Sequence, residues 1–235
     1  MYIITGVSKG LGKAIAELLL DKGELVTGIG RNSTIEHDNY TFQKCDLTNS
    51  LEIENLTFDL LEEAVILINN AGIIGEIKRL SDKKKLDLDS ILQVNTIAPI
   101  LLAHKIYQKI ENKDSFTLVN ISSGAANRAI PSWAGYCASK AALNMLTESF
   151  YLEEREKGNH PKVYAVSPGV IDTDMQVQIR SSKKSDFSSV DNFIGMKEEN
   201  QLFTPQEAAL RLIQLLNAAD FDSIFYDLRQ VETTE

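Results

Sequence analysis

Short apolar runs alternate along the chain with longer stretches in which apolar residues recur every three or four positions. The short runs fall at 2–5, 25–29, 40–44, 64–68, 116–121, 162–166 and 223–226, and each predicts a strand. Residues 64–68 are apolar at every position, the mark of a strand buried on both faces. Leu11, Ile15, Leu18 and Leu19 lie at helical spacing and predict a helix over 11–21, stopped by Gly23. Further helices are predicted over 51–61, 86–110 and 132–157, with Pro99 breaking or kinking the second of these. Another begins at Thr204-Pro205, where threonine caps and proline takes the first helical position. Strands alternating with helices predict an α/β fold, a doubly wound parallel sheet of about seven strands with helices on both faces. The residues from 168 to 203 are polar and irregular, with room for one or two short helices. From about 174 to 203 they exceed ordinary loop length, which predicts either a functional lid, here a substrate-binding loop, or a disordered segment. No repeat, biased segment or linker divides the chain, so residues 1–235 read as one domain.

Composition narrows the class. The chain has 235 residues, 24 Lys plus Arg against 33 Asp plus Glu, and a net charge of −9. An acidic balance argues against broad nucleic-acid binding, which needs a basic surface to replace counterions. No continuous apolar run approaches the roughly 18 residues of a membrane helix, and no charged leader precedes an apolar stretch, so neither membrane nor signal peptide is expected. Cys45 and Cys137 lie far apart without CxxC spacing, and His37, His104 and His160 show no ligand spacing. No metal or disulfide is expected, and a reducing, cytoplasmic setting fits.

The first strand runs into Thr5-Gly6-Val7-Ser8-Lys9-Gly10-Leu11-Gly12, which opens the first helix. Glycines at 6, 10 and 12 permit a tight turn and the approach of a bulky anion to the helix N-terminus. Strand, glycine turn and helix make the expected fold Rossmann-like. After the second strand, where an acidic residue reads the ribose of NAD, the chain has Gly28-Ile29-Gly30-Arg31-Asn32. Arg31 in place of the acid, with Lys9 in the glycine turn, suits the 2′-phosphate of NADP(H).

These motifs and those that follow them resemble the short-chain dehydrogenase/reductase family over nearly the whole chain. Thr5 to Gly12 matches TGxxxGxG, Asn69-Asn70-Ala71-Gly72 matches NNAG, and Tyr136-Cys137-Ala138-Ser139-Lys140 matches YxxxK. Asp46-Leu47-Thr48 stands where the family's aspartate meets adenine, and Asn95 where it has a helix asparagine. Ser123 precedes the tyrosine at the family's spacing, and Pro168-Gly169-Val170-Ile171-Asp172-Thr173 matches the segment that contacts nicotinamide. The resemblance implies Asn95, Ser123, Tyr136 and Lys140 as catalytic residues. It implies cofactor contacts from Gly6, Ser8, Lys9, Gly10, Leu11, Gly12, Arg31, Asp46, Leu47, Asn70, Ala71, Gly72, Tyr136, Lys140, Pro168, Gly169, Val170 and Thr173. It also implies a homodimer or homotetramer, built through helices near 95–111 and 133–157. The last third resembles sepiapterin reductase and bacterial relatives that reduce diketones such as benzil. The stretches that carry this are Asp172-Thr173-Asp174-Met175 and Phe225-Tyr226-Asp227, and by it Asp227 would hold a pterin ring.

Tyr136 and Lys140 are four residues apart on a predicted helix and project from one face. An adjacent ammonium lowers a phenol's pKa, which suits Tyr136 to general acid–base work. Ser123 is a neutral hydroxyl able to hold a carbonyl oxygen. By the resemblance, Asn95 positions a water beside Lys140, and Lys140 holds the nicotinamide ribose. Trp133 is placed to flank a planar substrate, and Met175 either lines an apolar substrate pocket or anchors the long loop to the core. The expected substrate contacts are therefore Ser123, Trp133, Tyr136, Met175 and Asp227. The plain alternatives are that Ser123 turns the chain, that Asp227 ends a strand or pairs with Arg229, and that Asp172 belongs to a turn. The expected function is NADPH-dependent reduction of a carbonyl on a small, planar or aromatic molecule. Its rivals are an NADP-binding sensor without turnover and an NAD-dependent alcohol dehydrogenase working oxidatively.

Overall fold

The computed structural model describes residues 1–60, 64–218 and 223–231. Seven strands form one parallel sheet: β1 (Tyr2–Thr5), β2 (Val26–Gly30), β3 (Tyr40–Lys44), β4 (Val65–Asn69), β5 (Phe116–Ile121), β6 (Lys162–Ser167) and β7 (Phe225–Asp227). Their order is β3-β2-β1-β4-β5-β6-β7. The order reverses between β1 and β4, which opens a crevice at the carboxyl ends of those strands.

Alternation along each strand fills two layers. Ile4, Ile68 and Val119 face one side, where they meet Leu11, Ile15 and Leu19 of α1 (Gly10–Asp21) and Leu212 and Ile213 of the helix that begins at Pro205. Ile3, Leu67 and Leu118 face the other, with Ile53 of α2 (Ser50–Asn55) and, from the long helix after β4, Leu102 and Ile106. Helices thus cover both faces, as the sequence pattern predicts.

The helix expected over 51–61 is shorter. Asn49 caps α2 by accepting from the Leu51 amide, and the chain turns extended at Leu56. Gln43 on β3 binds the Thr57 carbonyl and amide at 2.6 and 3.2 Å, which holds this stretch out of the helix. Leu56 and Phe58 are buried as a result. Residue 61 lies outside the described residues.

The long helix after β4 is continuous but not uniform. It runs as α3 (Lys85–Leu92), a π-helical turn (Gln93–Ile97) and α4 (Ala98–Lys109). Proline at 99 cannot donate to the Asn95 carbonyl, and the ladder widens just before it. Against expectation, this 25-residue stretch is long and apolar enough to cross a membrane, with mean hydropathy 1.3 over its most apolar window. In this fold its inner face, with Ile91, Val94, Asn95, Leu102 and Ile106, is built into the core.

α5 (Ala134–Glu156) follows β5. The stretch predicted as a polar loop contains α6 (Asp174–Arg180) and α7 (Val190–Glu198). Thr204 and Glu207 then form a capping box at the start of α8 (Pro205–Asn217), with proline at its first position.

Candidate active site

The glycine turn is sewn to the turn after β4. Thr5 Oγ1 accepts from the Asn70 and Ala71 amides at 3.0 and 2.9 Å, and Asn70 Nδ2 donates to the Thr5 carbonyl at 2.9 Å. Gly12 packs so tightly that a Cβ there would stand 2.4 Å from the Gly6 carbonyl oxygen and 2.3 Å from Asn70 Nδ2. Gly6 and Gly10 have φ of 76° and 59°. The N-terminus of α1 has no side-chain cap. Uncapped amides beside a glycine cradle fit a dinucleotide pyrophosphate. Ser8 is half-buried in that turn, and Leu11 and Leu47 are buried beneath the crevice.

Arg31 lies exposed at the end of β2. Its charge helps hold Asp46 below the usual carboxylate range, though the largest cause is the bond from the Thr48 amide. Asp46 Oδ1 accepts from that amide and from the Thr48 hydroxyl, both at 2.9 Å. Lys9 reaches across the crevice instead, with Nζ 2.5 Å from Asp174 Oδ2. Both side chains are about 70 % exposed (69 % and 71 %), so the pair is weak and Lys9 can exchange partners. Lys13 on α1 donates to Thr34 Oγ1 at 3.1 Å and brings a further cation to this corner, one the motif reading passed over.

Ser123, Tyr136 and Lys140 meet where β5 ends. Ser123 caps a single 3-10 turn by accepting from the Ala125 amide, and its side chain also hydrogen-bonds the Tyr136 phenol. Ser122 points elsewhere, its hydroxyl donating to Asn144 Oδ1. Lys140 stands one turn after Tyr136, with Nζ 5.9 Å from the tyrosine ring centroid. It is 3 % exposed and donates to the Ile121 carbonyl at 2.7 Å. Gly72 lies between Lys140 and Asn95, where a Cβ would stand 3.5 Å from both Lys140 Nζ and Asn95 Oδ1, an ordinary contact distance.

The protonation pattern corrects one expectation. Burial pushes the Tyr136 phenol up from its ordinary value, while the Ser123 bond pulls it down. Burial also pushes Lys140 down, to about 8. In this dry site desolvation outweighs the expected lowering of the phenol by its ammonium neighbour. Asn95 is fully buried. Its side chain is engaged, exchanging bonds of 2.8 Å with the Ile73 amide and carbonyl and donating to Ser139 Oγ at 3.0 Å. Ser139, three residues after Tyr136 on the same face, is thus a positioning residue that the motif reading missed.

Thr173 packs against the glycine turn, its Cγ2 3.2 Å from where a Gly10 Cβ would be. Gly169 has φ 77° and lies under the Arg229 and Phe203 side chains. Pro168, Gly169 and Val170 are half-buried at the same rim.

The short chain dehydrogenase family model matches residues 1–184. The chain belongs to the short-chain dehydrogenase/reductase family. It is 37 % identical to a benzil reductase ((S)-benzoin forming) of Bacillus subtilis, over 98 % of each chain. A benzil reductase of Bacillus cereus is 35 % identical over 93 % of this chain and 94 % of that protein. Among solved structures, a short chain dehydrogenase/reductase from Saccharomyces cerevisiae superposes with a TM-score of 0.85 at 27 % identity, covering 97 % of this chain and 96 % of that one.

On the substrate side, this short-chain dehydrogenase/reductase assembles a third cluster above the sheet. Ile74, Ile77, Trp133, Tyr136, Ile179, Phe187 and Val190 are buried together, with Met175 and Phe193 against them. Trp133 and Met175 therefore share one apolar cluster with Tyr136. Asp227 also reaches the carboxyl rim, level with Ser167. Its carboxylate is occupied, however: Arg229 Nε donates at 2.9 and 3.1 Å, and Arg229 Nη2 bonds it as well. The Arg229 bond holds Asp227 below the usual carboxylate range. Asp172 pairs with Lys197 and Arg180, tying α6 to α7.

Proposed function

We propose that the protein reduces one ketone of a planar aromatic diketone of the benzil type, using NADPH. The carrying observation is the Tyr136 phenol, bonded to Ser123 and flanked by Lys140, at the edge of a cluster of apolar and aromatic side chains. The near full-length similarity to two benzil reductases supports the same reading. NADPH, held at the glycine turn, would supply the hydride when bound. Ser123 Oγ donates to the carbonyl oxygen, and Tyr136 passes its proton to that oxygen as charge develops there. The Lys140 ammonium holds the nicotinamide ribose and stabilises the phenolate left behind, which solvent reprotonates past Asn95. The products are a hydroxyketone and NADP⁺.

Arg31, Lys9 and the lack of an acid at the end of β2 support NADPH over NADH. A 4-hydroxyisoleucine dehydrogenase solved with NADH, 28 % identical with a TM-score of 0.79 over 96 % of each chain, keeps NADH in the test. Leu92, Ile97 and Ile100 on one helix, with Met145 and Leu152 on α5, are exposed apolar residues that favour a homodimer or homotetramer. Two free cysteines suit a cytoplasmic setting.

The test is steady-state oxidation of NADPH and of NADH with benzil, sepiapterin and simple aldehydes. Turnover of benzil with NADPH well above the other pairs is expected. Tight NADPH binding without turnover of any carbonyl would replace this reading with the sensor.

A further inference from the structure

Trp133 is the only tryptophan in the sequence. It is 6 % exposed, and its Nε1–H has no hydrogen-bond partner among the described residues. Buried indole N–H groups ordinarily find one, because an unpaired buried donor is costly. The surroundings are rings. Phe187 stacks at 5.4 Å and 23°, Phe193 lies at 5.3 Å, and Tyr136 stands edge-on at 5.8 Å and 87°. Ring faces are weak acceptors. Stacking alone does not require tryptophan here, since phenylalanine offers the same faces without an orphaned donor. The backbone also holds the indole under strain: Ser132, just before it, is a buried non-glycine residue with φ 73°, its hydroxyl bonded to the Asp186 carbonyl.

A strong unused donor one helical turn before the proton donor asks for an acceptor on the substrate. This inference rests on the carbonyl-reductase reading above and adds to it. We propose that Trp133 Nε1–H binds the second oxygen of a vicinal dicarbonyl while Ser123 and Tyr136 hold the first. The site then selects 1,2-diketones over isolated ketones of the same shape. Hydride and proton go to the first carbonyl, and the second remains a ketone whose oxygen accepts from the indole. The cluster is closed in this structure by Phe187 and Phe193. Both are carried on the segment containing α6 and α7, so a substrate aryl ring takes the stacking place of one phenylalanine as it gives way.

The experiment compares benzil with deoxybenzoin, which keeps both phenyl rings and one carbonyl, in the wild type and in Trp133→Phe. NADPH titration of the variant checks its fold. The ratio of kcat/KM for benzil to that for deoxybenzoin should fall about five- to tenfold in the variant, the size of one lost neutral hydrogen bond. An unchanged ratio overturns the proposal. A second measurement needs no variant. With one tryptophan present, ultraviolet resonance Raman of the wild-type complex with NADP⁺ and benzil reads the Trp133 N–H directly. Its hydrogen-bond-sensitive band should shift with benzil and not with deoxybenzoin, and an unshifted band with benzil overturns the proposal. If the wild type reduces neither ketone, the carbonyl-reductase reading fails and this inference with it. Benzil turnover with an unchanged ratio defeats the Trp133 role alone.

Discussion

The cofactor side of the crevice is held by side-chain-to-backbone bonds and tight glycine packing between two adjacent turns. Thr5 Oγ1 accepts from the Asn70 and Ala71 amides, Asn70 Nδ2 donates to the Thr5 carbonyl, and Gly6 and Gly12 leave no room for a side chain. The substrate side is held by side chains from distant segments: Ile74 after β4, Trp133 before α5, Ile179 on α6 and Phe187 ahead of α7. A backbone cradle tolerates few residue types at each position, whereas an apolar cluster accepts many combinations of similar volume. Cofactor binding is therefore written as a spaced motif. Substrate choice is written in packing that no spacing reveals.

Four measurements would break or sharpen this contrast. Tyr136→Phe removes one hydroxyl on the substrate side, so NADPH affinity should survive while kcat falls by about 10²–10⁴-fold, the usual contribution of a general acid. Loss of cofactor binding in equilibrium titration would mean the two sides are not separable there. Arg31→Ala addresses the other side. A charge-assisted bond to phosphate is worth about 1.5–3 kcal/mol, so the NADPH dissociation constant should rise roughly ten- to hundredfold, with NADH little changed. Equal losses would remove Arg31 from the 2′-phosphate.

The pH profile comes next in size. Lys140 is pushed down to about 8 in the fold, so its ammonium is present below that pH and lost above it. Tyr136 is pushed up, away from this range, and does not deprotonate near 8. The kcat/KM for the ketone should therefore fall about tenfold per pH unit above about 8. Lys140→Arg, which keeps its charge, should lose that limb whatever its residual rate, and a wild-type profile flat to pH 10 would contradict the burial effect. The smallest effect is expected from Asp227→Asn, because Arg229 already occupies the carboxylate. Benzil kcat/KM should change less than about threefold. A tenfold or greater loss confined to sepiapterin would mean that Arg229 releases Asp227 to a pterin.

The alternation of apolar runs determined the sheet, its two-sided cover and most element bounds, because burial on a parallel sheet leaves a continuous apolar signature. The misplaced helix end at Leu56 shows the limit of that signal. Helical propensity there loses to Gln43, a partner on β3 that local pattern does not contain. Ser123, Tyr136, Lys140 and the glycine turn were likewise legible, since each lies at a spacing that the chemistry or the backbone demands. Tertiary structure alone decided what happens between segments. It gave Lys9 to Asp174 and Asp227 to Arg229, turned the Asn95 side chain onto Ile73 and Ser139, and left the Trp133 N–H without a partner among the described residues. It also reversed the expected shift of Tyr136, because desolvation depends on everything packed around a group and not on its neighbours in sequence.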